Sequence, residues 1–250
     1  MEETEISQDS PSTENTLINQ PPVGNSSLDT KQIAGAIVVA GVIIAGAILL
    51  KGAEPAVPSG GNESTDELSS EIRQISQNDH IRGNPGASIF IVEYSDLECP
   101  FCKTFHGTLK RVIENNKKVA WVYRHFPIPL LHSKAMLEAE ATECAWEQGG
   151  NDTFWRYTDR IFEVTPSNNR LPEEELPKIA GELGLDVAAF SLCLTSGKYE
   201  SKVQADIEDG RGVGVNVTPA SFIVFEGKVV DTIPGAQLYN TIIKQLSEIE

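Results

Sequence analysis

Apolar and polar positions along residues 81–250 follow two periods, one typical of strands and one typical of helices. The runs SIFIVEY (88–94) and VAWVYRHF (119–126) are β-branched and aromatic, which predicts two buried strands. Between them, PFCKTFHGTLKRVIENN has apolar residues at helical spacing behind a proline at its first position. Strand, helix and strand in this order predict a βαβ unit with a parallel pair of strands.

The next part of the chain predicts a helical block, a hairpin and a last helix. The strand period is lost over residues 132–209, where several segments separated by turn signals such as Gly149-Gly150 predict helices. Residues 221–233 predict a hairpin that turns at Glu226-Gly227, and AQLYNTIIKQLSEI predicts an amphipathic helix. We therefore expect an α/β domain of order βαβ…ββα, with a helical insertion at about 130–210.

The first part of the chain has no globular pattern. Residues 1–30 are acidic and polar, with no Lys or Arg, which predicts a disordered tail. The uncharged run IAGAIVVAGVIIAGAILL lies between Lys31 and Lys51, and as a helix it would rise roughly 27 Å, close to the thickness of a bilayer. We predict a single transmembrane anchor over 31–51. A buried core helix and a cleaved signal peptide are the alternatives, but the run is apolar on every face and no short basic region precedes it.

Residues 52–80 are rich in Pro, Gly, Ser and polar residues in their first half, which predicts a linker between the anchor and the folded domain at 81–250. One lysine flanks each end of the anchor, so charge does not orient it. The formal net charge of −16, without a cluster of Lys and Arg, excludes nucleic acid as a partner. The chain has four cysteines, too few to build a fold of 250 residues, so we expect them to carry chemistry or local crosslinks.

Cys99 and Cys102 form a Cys-x-x-Cys motif after the first predicted strand and at the start of the helix. Unpaired N–H groups and the helix dipole stabilise a thiolate at this position, so Cys99 is the candidate nucleophile. Cys102 lies one turn inside the helix and is the candidate resolving thiol. Pro100 fixes the first turn, and Phe101 supplies neither charge nor hydrogen bond.

Two other uses of the cysteine pair stay open. A metal site could add His106, His125 or His132, but the sequence lacks the second close pair of ligands that structural zinc usually takes. An inert crosslink would close so short a loop that it constrains little of the unfolded chain. Lys103 and His106 could each favour the thiolate or simply face solvent.

Several features together resemble one known family. They are the βαβ unit with Cys99-Pro100-Phe101-Cys102, the helical insertion, and Val217-Thr218-Pro219-Ala220 before the closing ββα. Over residues 81–250 they resemble the DsbA-like branch of thioredoxin-fold thiol–disulfide oxidoreductases, and most closely its membrane-anchored bacterial members. The resemblance implies an enzyme without cofactor that introduces disulfides into exported or cell-surface proteins. A reductase or isomerase of the same fold, and a module that only binds extended chains, are the alternatives.

The resemblance also assigns residues. Thr218-Pro219 matches the family's cis-proline loop, which lies beside the dithiol and offers backbone groups to a substrate. Glu93 matches a buried carboxylate near the inner cysteine that could move protons to or from Cys102, although an outward-facing glutamate is the alternative. Phe101 departs from strongly oxidising relatives, which often have histidine there, so the redox direction stays open.

The resemblance implies a non-catalytic disulfide between Cys144 and Cys193, whereas two buried free thiols would be the alternative. Such a bond requires an oxidising compartment. The implied partners are reduced or unfolded exported proteins and a reoxidising membrane protein of the DsbB or vitamin K epoxide reductase kind. The implied location is the bacterial cell membrane, with a single span and the catalytic domain outside the cytoplasm.

Overall fold

The structure is a computed structural model and describes residues 71–249. Within these residues it has five strands and six helices. They are β1 (His80–Arg82), β2 (Ile89–Ser95), α1 (Pro100–Asn115), β3 (Val119–His125), α2 (Ala135–Val164), α3 (Glu175–Glu182), α4 (Val187–Thr195), α5 (Glu200–Gly212), β4 (Ala220–Phe225), β5 (Lys228–Pro234) and α6 (Tyr239–Ser247).

The five strands form one sheet of order β1-β3-β2-β4-β5. Strands β2 and β3 are parallel, with Ile89 opposite Val119 and Ser95 opposite His125. The other three pairs are antiparallel. The predicted βαβ unit and its parallel pair are therefore confirmed, as is the thioredoxin-like α/β order with an inserted helical block.

The helical insertion consists of α2 to α5. The Gly149-Gly150 pair predicts a break between two helices, and the break is confirmed, because the helical backbone of α2 is interrupted where Gly150 takes a φ of 67° and a ψ of −158°. Glycine reaches this conformation without a steric penalty, so the chain bends and then resumes the helix. In the hairpin, Glu226 and Gly227 both have positive φ, which is the geometry of a tight turn between β4 and β5.

The folded part begins before residue 81. Residues 71–79, which the sequence assigns to the linker, lie against the sheet and lead into β1. Arg124 on β3 is fully buried and donates to Asp79 Oδ1 at 2.9 Å, to Asp209 Oδ2 at 2.8 Å and to the carbonyl oxygen of Arg73 at 2.8 Å. The contacts are polar and distant in sequence, so hydrophobic periodicity cannot reveal them.

The sheet is buried on both faces. On one face Ile89 and Ile91 of β2 pack with the apolar side of α1 and with α2. On the other face Val92 and Tyr94 pack with α5. Glu93 has the parity of Ile91 and therefore points to the face that carries α1.

Strand β5 forms one edge of the sheet. A register shift interrupts its pairing with β4 between Ile223 and Val224. Its first residues are exposed, and it starts with Lys228 and ends with Pro234.

The predicted acidic tail (1–30), the anchor (31–51) and most of the linker (52–80) lie outside the described residues. Within residues 71–249, no helix combines the length and the apolar character needed to cross a membrane.

Candidate active site

The chain places the two cysteines where β2 passes into α1. Cys99 is the N-cap residue of α1, and Pro100 takes the first helical position. The Cys99 side chain is 4% exposed, whereas Cys102, in the first turn, is fully buried. Both thiols are free. One sulfur can therefore meet a partner at the surface while the other is shielded behind it.

Cys99 is an acidic thiol. A hydrogen bond with the Cys102 thiol lowers its pKa, against the opposing effect of burial. The backbone N–H groups of Cys102 and Phe101 and the side chain of Thr218 act in the same direction, and together they bring the pKa of Cys99 to about 6. These groups belong to the helix N-terminus and to one neighbouring loop, so the local fold favours the Cys99 thiolate at neutral pH.

Cys102 is shifted the other way. Burial raises its pKa well above the ordinary value, and the hydrogen bond with Cys99 and the negative charge of the Cys99 thiolate add to that rise. The backbone N–H of Asp96 donates to Cys102 Sγ at 3.5 Å, which opposes the effect only in part. At neutral pH the pair therefore has one thiolate, at Cys99, and one protonated thiol, at Cys102.

The Thr218–Pro219 peptide bond is cis, and this loop faces the nucleophile. Cys99 Sγ lies 3.5 Å from the carbonyl oxygen of Thr218. Next to them, the side chains of Phe101 and Val217 are 65% and 62% exposed. Phe101 follows Cys99 by two positions and Val217 directly precedes Thr218, so each of the two segments that meet here carries an exposed apolar side chain.

Glu93 is completely buried beneath the dithiol. Its strand neighbours in register are Tyr123 on β3 and Ser221 on β4, and neither carboxyl oxygen has a hydrogen-bond partner within residues 71–249. Burial raises the pKa of Glu93 to about 8, and nearby polar groups of Ser95 and Trp121 oppose this shift without cancelling it. The Glu93 side chain therefore faces inward, and the alternative of an outward-facing glutamate is wrong.

The other sequence candidates lie away from the sulfurs. Lys103 Nζ donates to the carbonyl oxygen of Thr165 at 2.6 Å. Each histidine of the metal alternative pairs with a separate carboxylate, namely His106 with Asp159, His125 with Glu143 and His132 with Asp96. The structure therefore does not bring these histidines together around the cysteines.

One group in the described residues has the spacing of metal ligands, and it consists of His80, His125 and Glu143. All three are buried, and both imidazole Nε2 atoms lie within 3.0 Å of Glu143 Oε1. The Lys202 ammonium lies 2.9 Å from the same oxygen. A protein cation therefore already balances the charge of this carboxylate.

The sequence analysis missed the buried acids that surround the motif. In the stretch SDLE before Cys99, the Asp96 carboxylate accepts from the backbone N–H of Glu98 and of Ile128 at 2.9 Å each, and it pairs with His132. Glu98 is fully buried as well. The closeness of these two acids to Cys99 in the sequence was the signal that could have indicated the cluster. It was missed because their hydrogen-bond partners lie far away in the sequence.

Cys144 and Cys193 form a disulfide that joins α2 to α4. The sequence separation of 49 residues means that the bond closes a large part of the insertion. The disulfide is therefore formed, and the alternative of two buried free thiols is wrong.

Comparison with known proteins places this arrangement among thiol–disulfide exchange proteins. The sequence profile of the thioredoxin family matches residues 76–245. The crystal structure of DsbA2 from Pseudomonas aeruginosa is similar with a TM-score of 0.60 and 30% identity, over 69% of this chain and 94% of that one. The crystal structure of α-DsbA1 from Wolbachia pipientis shares the fold, with a TM-score of 0.61 and 20% identity over 74% of this chain and 95% of that one.

Curated relatives include much longer chains. The Na(+)/H(+) antiporter NhaA 1 of Mycolicibacterium gilvum is 33% identical over 150 residues, which are 59% of this chain and 23% of the antiporter. This chain therefore spans less than a quarter of the length of that relative. The similarity concerns one segment of the antiporter.

Proposed function

Because the chain belongs to the thioredoxin family, and within it to the DsbA-like thiol–disulfide oxidoreductases, we propose that it introduces disulfides into exported or cell-surface proteins. The observation that carries this proposal is the opposite shift of the two thiols, with the pKa of Cys99 lowered to about 6 and that of Cys102 raised. A low-pKa thiol is a good leaving group in disulfide exchange, so a mixed disulfide at Cys99 releases its substrate readily.

The first step uses the oxidised enzyme. A substrate thiolate attacks Cys99 Sγ, a bond forms between the substrate sulfur and Cys99, and the Cys99–Cys102 bond breaks. Cys102 leaves with the electron pair and takes up a proton, because burial disfavours its thiolate. Glu93 is protonated at neutral pH and lies close enough to influence the Cys102 charge, so it can supply that proton.

The second step releases the product. A second thiolate of the same substrate attacks the substrate sulfur of the mixed disulfide, and Cys99 leaves as a thiolate. The substrate dithiol has then lost two electrons, and the enzyme holds the reduced pair Cys99 and Cys102. To return to the disulfide, this pair passes the electrons to a partner, and Glu93 can take back the proton of Cys102.

The surface around Cys99 supports a peptide substrate. The Thr218-Pro219 loop would present backbone to an extended chain, and the exposed apolar side chains of Phe101 and Val217 belong to the segments of Cys99 and of this loop. Extended chains with apolar side chains are typical of proteins that have not yet folded. Reduced, unfolded proteins therefore fit this surface as substrates.

We also propose the setting in which this chemistry takes place. Residues 31–51 would anchor the chain in the bacterial cell membrane, with the catalytic domain outside the cytoplasm, where disulfides persist. The Cys144–Cys193 bond supports an oxidising compartment. A membrane protein of the DsbB or vitamin K epoxide reductase kind would then reoxidise Cys99 and Cys102.

The test is the equilibrium reduction potential of the Cys99–Cys102 pair, measured in glutathione buffers with alkylation and peptide mapping of all four cysteines. We expect a value above roughly −200 mV, with Cys144 and Cys193 bonded throughout. A value below roughly −250 mV would contradict the oxidase and favour a reductase or isomerase, an alternative that the uncharged Phe101 supports.

A Cys99→Ala variant distinguishes the enzyme from a module that only binds extended chains. We expect this variant to lose all turnover of a reduced model substrate, because no mixed disulfide can form. Retained association with the unfolded substrate at unchanged affinity, together with a wild-type protein that shows no exchange, would instead identify a binding module.

A further inference from the structure

Four polar side chains from four elements meet in one buried cluster. His80 lies on β1, His125 ends β3, Glu143 lies on α2 and Lys202 lies on α5. The side chains of His80, His125 and Glu143 are at most 2% exposed. The exchange reaction proposed above uses none of these residues, so a buried polar group of this kind needs an explanation of its own.

The hydrogen bonds within this cluster are unevenly distributed. Glu143 Oε1 lies 2.7 Å from His80 Nε2 and 3.0 Å from His125 Nε2. The ammonium of Lys202 lies 2.9 Å from the same oxygen. A carboxylate oxygen has two lone pairs, so it cannot fully accept from three donors. The other oxygen, Glu143 Oε2, is buried and has no hydrogen-bond partner within residues 71–249.

The ring nitrogen His80 Nε2 faces two neighbours that make opposite demands. It lies 2.7 Å from an acceptor, Glu143 Oε1, and 3.3 Å from a donor, the ammonium of Lys202. A neutral ring nitrogen either carries a proton or presents a lone pair, so one tautomer cannot satisfy both neighbours. The ring stacks on Phe154 with a centroid distance of 3.5 Å and an interplanar angle of 6°. Packing therefore holds the nitrogen in the cluster.

The same atoms have the spacing of ligands around a divalent metal ion. One ligand atom from each of His80, His125 and Glu143 can be chosen so that all three lie within 4.8 Å of one another. Ligand atoms of a tetrahedral zinc ion lie about 3.3 Å apart, because the bonds to nitrogen and oxygen are about 2.0–2.1 Å long. The distances of 2.7 and 3.0 Å from Glu143 to the two imidazoles are close to this value. Two imidazoles and one carboxylate suit Zn²⁺, whereas Ca²⁺ and Mg²⁺ take oxygen ligands.

We propose that His80, His125 and Glu143 form a zinc site, and that the ion displaces the ammonium of Lys202. The ion takes a lone pair from each Nε2 atom and from the Glu143 carboxylate, which removes both the excess of donors and the conflict at His80. Lys202 can leave because its side chain is 26% exposed, so its charge can move into water. Three protein ligands leave the fourth position of a tetrahedron for water.

The site would connect parts of the chain that are distant in sequence. Glu143 is 63 positions from His80 and 18 positions from His125. The ion therefore joins the three-residue strand β1, at one edge of the sheet, to β3 and to the helical insertion. The unfolded chain does not hold the three ligands together, so zinc should stabilise the folded state.

The test is equilibrium dialysis of the full chain against Zn²⁺, without a histidine tag and with Cys99 and Cys102 oxidised, because free thiols bind zinc themselves. We expect one zinc ion per chain in the wild type. We expect His80→Ala to bind zinc at least about tenfold more weakly, because one of three ligands is lost. Absence of stoichiometric zinc from the wild type, or unchanged binding in His80→Ala, would overturn the proposal.

Lys202→Met tests the displacement and does not touch a ligand. We expect this variant to bind zinc about tenfold more tightly than the wild type, because no cation has to leave the carboxylate. The matched control is Lys198→Met, which removes a half-exposed lysine that pairs with Glu147 outside the cluster and should bind zinc as the wild type does. Unchanged or weaker binding in Lys202→Met would overturn the proposal. These measurements need no thiol exchange, so they stand apart from a failure of the proposed oxidase activity.

Discussion

The Cys99 sulfur lies 3.5 Å from the carbonyl oxygen of Thr218, although 119 positions separate the two residues in the chain. The contact joins the end of β2 to the loop before β4, strands that are neighbours in the sheet. Pairing of these strands therefore brings the nucleophile and the cis-proline loop together. Nucleophile and loop then form one site whose geometry depends on the sheet.

A Thr218→Val substitution keeps this carbonyl oxygen and tests the side chain of the same residue. The Thr218 side chain helps to lower the pKa of Cys99, and valine has the same shape without the hydroxyl. We expect the pKa of Cys99 to rise by about half a unit, measured by thiolate absorbance. Thr241→Val, at an exposed position of α6, should leave the titration unchanged. An unchanged pKa in Thr218→Val would show that the helix N-terminus and Cys102 suffice.

Replacing Glu93 by glutamine should make stability less dependent on pH. The folded state keeps the Glu93 proton up to about pH 8, whereas the unfolded chain loses it near pH 4.5. The wild type therefore loses stability as pH rises between these values, and Glu93→Gln does not have this loss. Relative to wild type, the free energy of unfolding of the variant should rise by on the order of 4 kcal/mol from pH 4.5 to pH 8. Urea unfolding at both pH values measures this difference.

The matched control is Glu114→Gln, an exposed glutamate on α1. Its free energy of unfolding should follow that of the wild type at both pH values. If Glu93→Gln gained nothing between them, Glu93 would be ionised in the folded protein, and its role as a proton donor at neutral pH would be wrong.

The Cys144–Cys193 disulfide should contribute stability without contributing chemistry. It closes a loop with a sequence separation of 49, so the double variant Cys144→Ala/Cys193→Ala should unfold with about 2–4 kcal/mol less free energy. The rate of exchange at Cys99 should not change when it is measured well below the unfolding temperature. A large loss of exchange with the stability unchanged would show that this bond acts on the dithiol.

Removing Arg124 should destabilise the domain strongly. Arg124→Met leaves the buried Asp79 without its main partner and also loses the bond to the Arg73 carbonyl. We expect a loss of about 3–5 kcal/mol in the free energy of unfolding, because the buried Asp79 carboxylate loses its buried partner and keeps only Arg73 and Ser76. The exposed Arg160 pairs with Glu163 and Glu182, and Arg160→Met should leave stability nearly unchanged.

Much of the fold can be predicted from the sequence because its signals are local. Apolar runs indicate β2 and β3, helical spacing indicates α1, and Glu226-Gly227 indicates the hairpin turn. These features depend on a few adjacent residues and on backbone preferences. The position of the dithiol follows from the same local pattern, since Cys99 and Cys102 stand at a strand end and a helix start.

The missed parts depend on contacts between distant residues. Strand β1 is only three residues long, His80–Arg82, and polar enough to be taken for linker. Glu98 and Glu138 are buried only because the fold covers the segments that carry them. Each sequence segment alone gives an ordinary acidic residue, and only the fold removes these side chains from water.

Among residues 71–249, β5 lies at an edge of the sheet, and this position has a consequence for how the proposed substrates can attach. An unpaired strand edge is a template on which any unfolded chain could extend the sheet and begin to aggregate. The interrupted pairing at Ile223, the lysine at residue 228 and the missing N–H of Pro234 all make this edge a poor template. With the unfolded substrates proposed above, the protein would thus offer one covalent point of attachment, at a sulfur, and would discourage permanent attachment along its own backbone.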